Sequence, residues 1–123
     1  MQLKYSEDQF RSKCSIACAL DIIGDKWTLL IVRDAIILGK TSFNEFRNSK
    51  EKIASNILAN RLEKLVANGI MEKRTNSDKK SKNDYLLTET GAALKPVLLA
   101  IGNWGFDTIE EVNNSGSFLE ESN

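Results

Sequence analysis

Apolar residues return every three or four positions through the first half of the chain, and most such stretches close on a glycine. Residues 15–23 place Ile16, Leu20 and Ile23 on one helical face, with Gly24 as the stop. Asp25 is a good N-cap for a second helix, in which Trp27, Leu30, Ile31, Ala35 and Leu38 recur before Gly39. Leu29, Val32, Ile36 and Ile37 widen that face, so this helix is expected at the centre of the core, with Trp27 inside it and Lys26 beside it as a determinant of the fold. Lys40 and Thr41 read as a short extended connector. Ser42-Phe43-Asn44-Glu45 then has the form of a capping box, in which each side chain satisfies a free backbone N–H of the other residue. A short helix to about Asn48 should turn Phe43 and Phe46 inward. After the polar turn 49–52, residues 55–68 carry a stripe of Leu58, Leu62, Leu65 and Val66, ended by Gly69.

The second half changes period. Residues 70–75 and 84–87 read as the strands of a hairpin around a long basic linker, 76–83. Thr88 can cap a last helical stretch reaching about Asn113, with a kink or break near Lys95 because Pro96 removes a helix hydrogen bond. Residues 1–13 form a polar arm, and residues 114–123 an acidic, frayed tail. A short helix joined by a tight turn to an amphipathic one, then a hairpin, is a winged helix-turn-helix order. The predicted fold is mainly α with a small β-hairpin wing and a long C-terminal dimerisation helix, one domain over residues 1–113.

A chain of 123 residues has room for one core. Its longest apolar stretch, 27–38, is broken by Arg33 and Asp34 and is far shorter than the roughly 20 residues of a membrane span. The start of the chain lacks the apolar run of a secretion signal, so the cytoplasm is the expected compartment, with reduced cysteines and no membrane partner. Net charge is zero, from 17 basic and 17 acidic residues, but it is unevenly spread. Residues 40–82 hold eleven bases against five acids, and no base follows Gly105. That asymmetry suits a surface facing double-stranded DNA and an end facing a partner.

The solvent side of the fourth helix presents Ser55, Asn56, Ala59, Asn60, Glu63 and Lys64, which fits a helix entering the major groove. Asn56 and Asn60 can each offer a donor and an acceptor to adenine, and Ser55 can reach a base or phosphate. Lys73, Arg74, Lys79, Lys80 and Lys82 suit phosphate contact from the wing. Arg61 lies beside the buried face, where it can touch phosphate or reach a carboxylate of its own chain. Leu94, Leu98, Ile101, Trp104, Gly105, Ile109 and Val112 repeat along the last helix as a candidate homodimer interface reading an inverted-repeat operator, and Gly102 and Gly105 allow close approach. With no histidine, no glycine-rich phosphate loop and no clustered acids, the expectation is no enzyme, no cofactor and no metal site.

Cys14-Ser15-Ile16, Ala19 to Ile31, Ser42 to Arg47, Ile53 to Leu62, Tyr85-Leu86-Leu87-Thr88, Gly91 and Trp104-Gly105 together resemble HxlR-type regulators, within the MarR-like superfamily. The resemblance implies a dimeric winged-helix transcription factor, some relatives using the cysteine ahead of the first helix as a redox or electrophile sensor. Cys14 is therefore a candidate sensor thiol, and the nearby helix terminus with Arg11 and Lys13 would favour its thiolate; an ordinary surface cysteine is the competing reading. Cys18 is expected as a small buried apolar residue. Ser15 stands where the family usually has proline, and residues 79–84 lack the prolines common in its wings. Two other functions stay open, a winged-helix protein-interaction module and a thiol-dependent redox enzyme built on Cys14.

Overall fold

The structure, a computed structural model, describes residues 3–75 and 83–112. Among the described residues the elements follow the predicted order, with the last helical stretch divided in two: α1 (Ser15–Ile23), α2 (Lys26–Leu38), α3 (Phe43–Arg47), α4 (Ser55–Ala67), β1 (Met71–Thr75), β2 (Asn83–Leu87), α5 (Glu89–Ala92) and α6 (Lys95–Thr108). The starts of α2, α3 and α5 carry side-chain caps. The Asp25 carboxylate accepts from the Thr28 N–H at 3.1 Å, and Ser42 and Glu45 form the reciprocal box. Gly39 and Gly69 end α2 and the α4 segment with φ of 65° and 72°, left-handed values that suit glycine.

The core lies between α2, α3, α4 and the root of the hairpin. Val32, Phe46, Leu58, Leu62, Leu65 and Met71 are fully buried there, with Ile31, Ile53, Ile70 and Leu98 around them. Trp27 departs from expectation. The buried residues of α2 are Thr28, Ile31, Val32 and Asp34, and Trp27 is half-buried against the edge of the core, with the Lys26 ammonium 5.2 Å from its ring centre.

β1 and β2 pair antiparallel from Met71–Leu87 to Thr75–Asn83. The connector before α3 joins them as a short third edge: Ser42 bridges Asp84, and the Tyr85 N–H donates to the Thr41 carbonyl at 2.7 Å. The root of the hairpin is tied to α5. The Thr88 N–H donates to the Ile70 carbonyl, its hydroxyl donates to the Gly69 carbonyl, and the same hydroxyl accepts from the Gly91 N–H. Gly91 sits so close that an added Cβ would lie 2.2 Å from the Ile70 carbonyl oxygen.

In the C-terminal half one expectation holds and two need correction. Pro96 lies in the first turn of α6, where its missing N–H costs nothing, and the discontinuity expected near Lys95 is a break between α5 and α6. The last helix stops at Thr108, because Ile109 is extended and Glu111 takes a φ of 66°. Leu94 and Leu98 pack into their own domain, against the core that α2 supplies. Among the described residues no helix is long and apolar enough to cross a membrane.

Candidate nucleic-acid interface

α4 is held by its buried face, which is what orients the other one. Leu58, Leu62 and Leu65 are buried, while Ser55, Asn56, Ala59, Asn60, Glu63 and Lys64 are exposed. Its N-cap residue, Ala54, has no oxygen to offer, so the first backbone N–H groups are left without a side-chain cap. The turn before it is anchored twice, by Ile53 in the core and by Glu51, which accepts two 2.8 Å hydrogen bonds from the Arg33 guanidinium. Arg33 also donates to Asp34 at 2.9 and 2.7 Å, and Lys40 donates to the other Asp34 oxygen at 3.2 Å. This cluster was not foreseen. Asp34, an acid on an otherwise apolar helix between two bases, is the signal that could have revealed it.

Arg61 is placed by a carboxylate of its own chain. Its Nε and Nη2 donate to the two Asp25 oxygens at 2.8 and 3.2 Å, and its Nη1 donates to Asn60 Oδ1 at 2.6 Å. The guanidinium, with desolvation opposing and the Thr28 N–H assisting, holds the Asp25 carboxyl down to about 2 from an ordinary 3.8. Arg61 is thus engaged on the protein, in contrast to the free phosphate ligand that was one of its two readings. On the hairpin, Lys73 and Arg74 are exposed, Arg74 donating to Glu72 at 3.1 Å. Lys79, Lys80 and Lys82 lie outside the described residues.

Cys14 is the N-cap residue of α1 and is exposed. The two bases expected beside it are occupied elsewhere: Arg11 Nε donates to Asp21 at 2.8 Å, and the Lys13 ammonium lies 5.4 Å from the centre of the Tyr5 ring. Cys18 is half-exposed instead of buried, and its thiol donates to the Ser12 carbonyl at 3.1 Å. Along α1, Ile16 and Leu20 are exposed, and of the apolar face read there only Ile23 packs against the core. Ile101, Trp104, Ile109 and Val112 are exposed too, Trp104 by 66%, and a Cβ on Gly105 would meet nothing within 4 Å.

A solvent-facing polar helix seated on a helix-turn-helix, followed by a two-stranded hairpin, defines a winged helix-turn-helix DNA-binding regulator. The chain belongs to the HxlR-like helix-turn-helix family, whose model matches residues 22–113. It is 37% identical over 103 residues to the HTH-type transcriptional regulator YdeP of Bacillus subtilis, covering 84% of this chain and 79% of that one. Among solved structures it is similar to PA1607, at 43% identity and a TM-score of 0.74, over 84% of this chain and 72% of that one. The reduced form of the redox regulator HypR is similar at 35% identity and a TM-score of 0.66, over 76% and 92% of the two chains.

Proposed function

We propose that the chain works in the cytoplasm as a homodimer on double-stranded operator DNA, reading an inverted repeat through α4, and that it regulates transcription without catalysis. The observation that carries this reading is the division of α4: three buried leucines fix it to the core while Ser55, Asn56, Ala59, Asn60 and Lys64 face solvent. Asn56 and Asn60 contact bases, and Lys64, Lys73, Arg74, Lys79, Lys80 and Lys82 supply phosphate contacts, whose strength is independent of sequence. Exposed Ile101, Trp104, Ile109 and Val112, with open space over Gly105, support a twofold partner on α6.

Selection of bound duplexes from random DNA tests this reading. A palindromic consensus is expected, with affinity falling steeply with salt at roughly −0.9 in log K per neutralised phosphate. Affinity for DNA that is independent of both sequence and salt would overturn it.

Cys14 is the input of this regulator on the same reading. Its exposure at the start of α1 and the likeness to a redox regulator support that role. Alkylation at neutral pH is expected to modify Cys14 ahead of Cys18 and to weaken DNA binding in the wild type but not in Cys14→Ser. Equal loss in both proteins would remove Cys14 from the mechanism.

A further inference from the structure

The Asp25–Arg61–Asn60 chain of hydrogen bonds bears on which base α4 can accept. A guanidinium has only donors, so the Asn60 atom 2.6 Å from Arg61 Nη1 must be the carbonyl oxygen. Arg61 is itself held side-on by both oxygens of Asp25, and Asp25 is held by the first turn of α2 through Thr28. A side chain one position away on a helix does not normally face its neighbour; here the anchored guanidinium reaches across to it. One lone pair of Oδ1 is thereby committed to Arg61, and the amide is held in one orientation. The Nδ2 group of the exposed Asn60 keeps both of its hydrogens to offer a groove.

Resting on the reading of α4 as the recognition helix, we propose that Asp25 and Arg61 are positioning residues that bias Asn60 toward donating, favouring guanine with its two acceptors over adenine and thymine with one each and over cytosine with none. Guanine presents two acceptors in the major groove, N7 and O6, whereas cytosine presents only the N4 donor. The paired contact to adenine expected from an unconstrained asparagine needs Oδ1 on adenine N6 and Nδ2 on N7 together, and Arg61 competes for the first by occupying one lone pair and fixing the amide. Sequence preference at this position therefore depends on a residue that touches no base.

The test is selection from random duplex DNA with wild type, Asn60→Ala, Arg61→Met and Asn60→Asp, each checked for native helicity by circular dichroism. Asn60→Ala locates the base pair that Asn60 reads. There the wild type is expected to select guanine. Arg61→Met frees the amide and should move the adenine-to-guanine ratio at that pair by about five-fold or more, the span of one good base contact. Asn60→Asp keeps an oxygen on Arg61 and turns an acceptor outward, so cytosine should replace guanine. Should Arg61→Met not fold, Asp25→Asn releases the guanidinium while keeping an oxygen for the cap, and Asn60→Asp needs no change in the ion pair. Wild-type selection of adenine at that pair overturns the proposal, as does an Arg61→Met profile that keeps the wild-type bases at uniformly lower affinity. A wild type without sequence preference instead brings down the assignment of α4, and the proposal with it.

Discussion

Asp25 serves two partners with one carboxylate, and the sequence disclosed only one of them. Its place ahead of an apolar helix marked it as an N-cap, since capping depends on residues three positions away. Its pairing with Arg61, 36 residues further on, depends on how α2 and α4 pack and has no local signature. The same limit explains Arg61, whose position beside a buried stripe left a phosphate or a carboxylate equally open. The pairing has a consequence in acid. The folded-state value of about 2 lies below the ordinary 3.8, so the stabilisation is complete above the ordinary value and is lost as pH falls through about 2. Glu51, held low by Arg33, acts in the same direction. Denaturant melts of wild type and Asp25→Asn between pH 5 and pH 2 should show the wild type losing more stability on acidification than the variant.

Helices whose stop and start signals are local were legible as elements: α1, α2, α3 and α4 fall within a residue or two of their expected bounds. The capping box of α3 is the clearest case. Its Glu45 accepts from the Ser42 N–H at 3.0 Å, and those backbone N–H groups hold its carboxyl below the usual range. Ser42→Ala should cost about 1 kcal/mol in a denaturation experiment, because five residues of helix have few other bonds to spare. The last helix was read less well. Pro96 marked a discontinuity without saying on which side the new helix would begin. Periodicity also shows which residues share a face without showing what covers it. One stripe therefore contains Leu98, 9% exposed, and Ile101, 50% exposed, because α6 runs off the edge of the domain between them.

That edge divides the whole molecule into what folds it and what remains to be covered. In the proposed dimer Trp104→Glu should produce a monomer by sedimentation at micromolar concentration while leaving the thermal transition of the domain nearly intact. Leu98→Ala is the contrasting change, removing buried methyl groups and lowering stability by roughly 2–4 kcal/mol. If both variants lost stability and neither changed association, α6 would serve only its own core. The join at Gly91 determines how these two halves communicate. Gly69, where the α4 segment ends, and Thr88, where α5 begins, are clamped through carbonyls, one hydroxyl and a glycine with no room for a methyl. In the proposed dimer, the helix that reads DNA and the helix that meets the partner are thus joined through the wing root. There a rotation of one α6 against the other is expected to change the distance between the two α4 helices, making that distance a gauge of the inter-subunit angle.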